Sequence, residues 1–219
     1  MKYLELRRQV LQTAQEILAA RMVTGTWGNV SLRVPGEELL IITPSGMEYE
    51  KLQPEDMVLV DFARQVQEGS YRPSIETPMH LAIYQNRPDV NAVVHVHSPY
   101  ASAFAVAGKP IPVILEETAQ AVGHIVEVVP YARCGSKRLA SQVVDTLGSS
   151  GRAVLLAMHG MVGVGNDIRD ALKVCYITEK TAMVALLARQ LGPLPSLEQK
   201  DIDSFRQGYQ GYLQNPKDE

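Results

Sequence analysis

Apolar residues at Leu4, Leu11, Ala14, Ile17, Leu18 and Met22 keep a three- and four-residue rhythm, which predicts an amphipathic helix over residues 2–22 with one buried face. The rhythm then changes. Two short aliphatic runs, Leu39-Leu40-Ile41-Ile42 and Met57-Val58-Leu59-Val60, read as strands, and polar turns follow them, the second around Gly69. In Val90-Asn91-Ala92-Val93-Val94-His95-Val96-His97-Ser98, β-branched residues at close to period two predict a buried strand ending near Ser98-Pro99. Just before it, Pro78 suits the first turn of a helix that runs to about Gln85. Residues 99–107 are alanine-rich and apolar, a packed helix. A further helix spans Ser136 to Leu147, with Gly148 behind it, and residues 153–158 form a core strand. Asn166 or Asp167 caps the longest helix, to about Leu191, and the last helix begins at Ser196 through a Ser196–Gln199 capping box. Short strands joined by polar turns and interleaved with helices describe an α/β chain with much antiparallel pairing.

This pattern occupies 219 residues, 46% hydrophobic and 21% charged, so a single domain over residues 1–219 is expected. A net charge of -3 with no basic run offers no footing for nucleic acid or a membrane surface. Small molecules and further copies of the chain are the expected partners. The first eight residues carry charges where a secretory signal needs an apolar stretch, and no run is long enough to span a bilayer, which predicts a cytoplasmic protein. Cys134 and Cys175 lack Cys-x-x-Cys spacing and read as reduced structural thiols, neither of them a nucleophile.

The histidines add chemistry to this frame. Alternate strand residues share a face, so His95 and His97 project together, about 7 Å apart along the backbone, a separation one metal ion can bridge. Two readings stand at this point: metal ligands, or buried histidines each satisfied by its own partner. His159-Gly160 puts a third histidine at a strand end, with glycine leaving room for a ligand beside it. Glu76 falls just before the helix containing Pro78, where a carboxylate either stabilises the helix dipole or serves at a rigid position as ligand or proton carrier. His80 reads as structural or as support for that site, His124 as structural, and Glu116-Glu117 as a solvated acidic pair. Three histidines and a carboxylate make a shell for catalytic zinc, in which the displaced carboxylate becomes a base. Two donor-rich turns, Thr26-Trp27-Gly28-Asn29 and Thr43-Pro44-Ser45-Gly46, read either as plain turns or as an anion cradle. Together these features point to a phosphorylated carbonyl substrate and to enolisation or carbon–carbon cleavage. Metallo-β-lactamase-like hydrolases follow a histidine pair with Asp-His, whereas this chain continues Ser98-Pro99-Tyr100. Carbonic anhydrases use three histidines, but their reaction calls for no phosphate turns.

The ordered set Gly28-Asn29-Val30-Ser31, Thr43-Pro44-Ser45-Gly46, Pro73-Ser74-Ile75-Glu76, His95-Val96-His97 and His159-Gly160 resembles the class II aldolase/adducin family over almost the whole chain. The resemblance implies an α/β fold, an αβα sandwich with a largely antiparallel central sheet flanked by helices, assembled as a homotetramer with active sites at subunit interfaces. It implies one Zn2+ per subunit held by Glu76, His95, His97 and His159, with Glu76 also the acid/base catalyst. Thr26, Asn29, Ser45 and Ser74 match phosphate-binding positions, with backbone N–H groups from Gly28, Gly46 and Ile75. A C-terminal tyrosine, Tyr209 or Tyr212, is implied near the aldehyde. The implied activity is that of a lyase of carbohydrate metabolism. It cleaves a 1-phosphorylated ketose to dihydroxyacetone phosphate and an aldehyde through a metal-stabilised enediolate. Two positions depart from the aldolase pattern: Ile75 replaces a second serine, and Glu116 stands about where a tyrosine is found. The family's epimerases typically carry Asp where Glu76 stands and another at about Gln120, whereas its dehydratases would use the same zinc and acid/base group. Adducin-like interaction modules tend to lose the metal ligands, and all four are present here.

Overall fold

A computed structural model describes residues 1–214. Its eight strands are β1 (Asn29–Arg33), β2 (Leu39–Ile42), β3 (Val58–Asp61), β4 (Val66–Glu68), β5 (Ala92–Val96), β6 (Val128–Val129), β7 (Ala153–Leu156) and β8 (Gly160–Gly165). They form one sheet in the order β4-β3-β2-β1-β5-β8-β7-β6. Every neighbouring pair is antiparallel except β6 with β7. The helices are α1 (Leu4–Ala19), α2 (Thr77–Asn86), α3 (Pro99–Ala107), α4 (Glu116–Ala121), α5 (Lys137–Leu147), α6 (Ile168–Ala188) and α7 (Gln199–Gln214).

Two apolar clusters, one on each side of the sheet, make the layers. Ala92, Val94 and Val96 of β5 join residues of α1, α3 and α6, whereas Val93 joins residues of α2 and α5. A strand covered on both faces carries apolar residues at successive positions, which is why β5 is buried along its whole length. The αβα sandwich expected from the resemblance is therefore the observed architecture. Among the described residues no helix is long and apolar enough to cross a membrane.

Several boundaries differ from the periodicity, for local reasons. α1 stops at Ala19 because the chain turns at Arg21, in left-handed conformation (φ 58), although Met22 and Val23 remain buried. The capping box at Ser196 does not form. The Ser196 hydroxyl donates to the Val113 carbonyl (3.3 Å), and the Leu197 N–H bonds the same carbonyl, so α7 starts only at Gln199. The edge strand β4 lies in what reads as a polar turn. Strand β8, Gly-Met-Val-Gly-Val-Gly, has the composition of a loop because glycine weakens strands. Here glycine admits α6: a Cβ on Gly163 would lie 2.6 Å from Cys175 Sγ, and one on Gly165 would collide with the backbone of Ala171. Cys175 itself is buried against β5, as a structural thiol would be.

The antiparallel order brings the end of β5 beside the start of β1 and the start of β8, with Asn29 opposite His95 and Met161 opposite Val96. The chemistry-bearing residues gather at this end of the sheet.

Candidate metal centre and substrate cleft

β5 ends at Val96, one residue before His97, yet both imidazoles reach one point, with Nε2 atoms 2.9 Å apart. The His97 N–H is held by the Met22 carbonyl (3.0 Å). Glu179 of α6 accepts from Ser98 Oγ (2.7 Å) and from the N–H groups of Tyr100 and Ala101, fixing the turn that follows. No sequence pattern marked Glu179, because its partners lie about eighty positions earlier. His159 stands in the tight connection between β7 and β8, after Met158 at φ 58. Gly160 is required beside it, since a Cβ would collide with the Val96 carbonyl and crowd the His97 ring. The three rings meet edge-on, each pair with centroids 4.8 Å apart.

His95 Nδ1 donates to the Met161 carbonyl (2.9 Å), which turns Nε2 toward the centre, where it can carry either a proton or a metal ion. Glu76, at the N-terminal end of α2, brings Oε2 to 3.0 Å from that nitrogen, and the same oxygen accepts from Asn29 Nδ2 (2.9 Å). Oε1 is buried and, among the described residues, has no hydrogen-bond partner; it lies 3.9 Å from His159 Nε2. Burial by itself would raise the Glu76 carboxyl, but the charges on His95 and His159 and the Asn29 amide hold it well below the usual carboxylate range. Burial likewise opposes charge on His95, and the adjacent carboxylate reverses this, raising it. Burial and the charge on His95 push His97 down to about 3 and His159 down to about 4. These ring nitrogens and the carboxylate face one another and need a positive charge between them. The nitrogens of His95, His97 and His159 lie within 4.8 Å of one another, and neutral imidazoles beside a carboxylate suit a divalent transition metal.

A cleft of about 430 Å³ opens beside this group. Thr26, Gly28, Asn29, Ser45, Gly46, Ser74 and Ile75 all line it, together with Glu76, His97 and His159, while His95 is fully buried behind the wall. Gly28 (φ 83) sits where a Cβ would come 2.6 Å from Val23 and 2.8 Å from the His95 carbonyl, so the first turn packs directly on the histidine strand. The second turn is tied to the loop before Glu76: Ser45 N–H bonds the Arg72 carbonyl (2.9 Å) and Ser74 N–H bonds that of Thr43 (3.1 Å). Ser74 Oγ accepts from the Glu76 N–H (3.2 Å). Trp27, Ile75, Tyr131 and Met158 form an exposed apolar rim.

Other residues take different places. Tyr209 is not brought to this cleft within one chain; its ring lies over Lys173 Nζ (5.2 Å), near Asp170 and the other end of β8. The side chain of Tyr212 lies outside the described residues. Glu116 is exposed, as a solvated face would be, whereas Glu117 is half-buried and turns its buried Oε1 to Lys180 (2.7 Å). His124 accepts from the Arg152 N–H (2.7 Å) and is structural. Cys134 is a correction to the sequence reading: it is free but lines the cleft, within 4.8 Å of donor atoms of Glu76 and His159. Burial and the neighbouring carboxylate push its thiol up to about 12. The signal was Gly135 (φ 74), where a Cβ would come 2.8 Å from the Ile75 carbonyl, bringing the Cys134 loop against the residue before Glu76.

His80, fully buried beneath Asn29, carries a pH prediction. Burial holds it at about 3 in the fold against an ordinary 6.5, so the unfolded chain binds more protons between those values. The stability that its neutral form contributes is complete above pH 6.5 and is lost as pH falls toward 3, a trend that urea unfolding at successive pH values measures.

Comparison with known proteins places this geometry. The family described as class II aldolase and adducin N-terminal domain matches residues 8–186. The 5-deoxy-D-ribulose 1-phosphate aldolase of Bacillus thuringiensis serovar kurstaki is 34% identical over 208 residues, covering 95% of this chain and 97% of that protein. The L-fuculose phosphate aldolase of Escherichia coli O6:H1 is 34% identical over 209 residues, covering 95% of each. A solved L-fuculose 1-phosphate aldolase superposes with a TM-score of 0.89 at 29% identity, covering 94% of this chain and 96% of that one. These relatives are aldolases, which are lyases.

Proposed function

The chain belongs to the class II aldolase and adducin family, and on that premise we propose that it is a zinc-dependent aldolase that cleaves a 1-phosphorylated ketose to dihydroxyacetone phosphate and an aldehyde. The observation that carries the reading is a buried carboxylate oxygen without a partner among the described residues, Glu76 Oε1, beside three converging imidazoles and a cleft rimmed by hydroxyl and glycine turns. His95, His97 and His159 would hold the zinc, with Glu76 as fourth ligand; bound there, it supplies a Lewis acid that stabilises negative charge developing on the substrate's oxygens.

The remaining steps fall to the chain's own side chains. Thr26, Asn29, Ser45 and Ser74, with N–H groups of Gly28, Gly46 and Ile75, bind the phosphate and set the ketose in register. On cleavage the hydroxyl proton of the aldehyde half is released, the carbon–carbon bond breaks, and its electron pair stays on the carbon next to the carbonyl. Glu76, which draws a proton from solvent through the open cleft, delivers it to that carbon, which completes dihydroxyacetone phosphate. Tyr209 relays the hydroxyl proton on the aldehyde side, passing its own phenolic proton to solvent as it accepts, and reaches the cleft from a neighbouring subunit of a homotetramer. The apolar rim of Trp27, Ile75, Tyr131 and Met158 suits an aldehyde with a methyl end, as deoxyketose phosphates provide.

Release of dihydroxyacetone phosphate from the 1-phosphates of L-fuculose, L-rhamnulose, D-ribulose and 5-deoxy-D-ribulose tests the proposal. Zinc-loaded protein that releases it from none of them sinks the reading. Ser45→Ala is expected to raise KM for the accepted ketose phosphate about tenfold, the loss of one hydrogen bond to a charged group, with kcat little changed. Steady-state kinetics reads the split directly.

A further inference from the structure

Behind Glu76, four buried side chains form a line, and three of them, Ser31, His80 and Tyr84, have no part in the aldolase reading. Asn29 and Ser31 lie two apart on β1 and therefore share a face; Glu76, His80 and Tyr84 lie four apart along α2 and share a helix side. The two rows interlock. Asn29 Nδ2 donates to Glu76 Oε2 (2.9 Å), Asn29 Oδ1 lies 2.6 Å from His80 Nε2, His80 Nδ1 lies 2.7 Å from Ser31 Oγ, and Ser31 Oγ lies 2.7 Å from the Tyr84 hydroxyl. All four side chains are at most 4% exposed.

The carboxylate accepts only, and this sets the direction of every other bond. With its nitrogen turned to Glu76, Asn29 presents oxygen to His80, so the imidazole hydrogen sits on Nε2. A neutral imidazole then accepts at Nδ1, Ser31 donates to it, and Ser31 in turn accepts from Tyr84. The line runs one way, from Tyr84 through Ser31, His80 and Asn29 onto Glu76. Reversing it would turn an amide oxygen against an anion.

We propose that this hydrogen-bonded line positions Glu76. It grips Oε2 and keeps Oε1, which has no partner among the described residues, turned toward His159 as the oxygen that carries the proton. Asn29, His80, Ser31 and Tyr84 are thus positioning residues. Asn29 turns one amide hydrogen to Glu76 and its oxygen to His80, which leaves the second amide hydrogen for the cleft it lines. The inference rests on the reading of Glu76 as the proton-moving group.

The test is exchange of the hydroxymethyl hydrogen of dihydroxyacetone phosphate with solvent deuterium, followed by NMR on zinc-loaded protein, because it needs no aldehyde. His80→Phe keeps a flat aromatic ring and removes both nitrogens; it is expected to slow exchange about 10- to 100-fold, while metal content and affinity for dihydroxyacetone phosphate stay at wild-type levels. His80→Gln keeps an N–H directed at Asn29 and is expected to restore most of the rate. Should His80→Phe not fold, Ser31→Ala and Tyr84→Phe remove one hydroxyl each, and a graded loss, smallest at Tyr84, is expected. Exchange at the wild-type rate in these variants overturns the proposal, as does a loss in His80→Phe that His80→Gln does not rescue or that comes with lost metal. Glu76→Gln separates the two levels. If it exchanges normally, the reading of Glu76 fails; if it is silent while His80→Phe runs at full rate, only the positioning role fails.

Discussion

Glu76→Gln is expected to lower turnover by roughly 10³-fold while the protein keeps most of its metal. Glutamine has the volume of the side chain it replaces and can still accept from Asn29 Nδ2, which now bonds Oε2 at 2.9 Å. Its NH2 group then takes the place of Oε1, toward His159 Nε2 at 3.9 Å, so the Asn29 bond is kept and the fold is retained. What disappears is the proton-carrying oxygen. The three imidazoles remain as ligands, and metal analysis after gel filtration should find them occupied. Turnover that survives the substitution unchanged would remove Glu76 from the proton path.

His95→Ala is expected to do the reverse, taking metal and activity together. His95 is the central histidine: it lies in the middle of the sheet, wholly buried, and its Nε2 is 2.9 Å from His97 and 3.0 Å from Glu76. Changes to residues that merely orient a ligand cost 10- to 100-fold in metal affinity, so loss of a ligand should cost more than about 100-fold. In the metal-free state the substitution also strands the Glu76 carboxylate in a buried site without its main partner, a penalty of about 3 kcal/mol. Metal content and urea unfolding of the variant check both effects. A His95→Ala protein that retains stoichiometric metal would exclude the three-histidine site.

How much of this was legible from the chain alone follows from how local each signal is. Helices α3, α5 and α6 were readable because alanine-rich runs, Ser136, Asp167 and Gly148 act on their own turns, and Ser136 and Asp167 do cap their helices. Strand β8 was not readable, since its glycines answer to Cys175 and Ala171 on another element. Ser196 misled for the same reason: its hydroxyl has a local partner available in a capping box and takes a distant one at Val113 instead. Among the histidines, spacing alone left His95 and His97 between metal and structure, and their meeting with His159 depends on strands paired across the sheet.

Local signals along the chain mark the candidate side chains and the frame of each: a histidine pair at a strand end, a carboxylate at a helix start, glycines at two turns. How they meet is set by packing between distant segments. The register that sets Asn29 opposite His95, the packing of α2 on β1 that joins Tyr84 to Glu76, and the turn of Cys134 into the cleft are contacts between segments tens of residues apart. Tyr209 shows the converse, a residue marked by sequence that one chain leaves at the far end of the sheet. Periodicity and capping act over a few residues, whereas pairing across a sheet is fixed by burying both its faces at once, and no short stretch of chain encodes that alone.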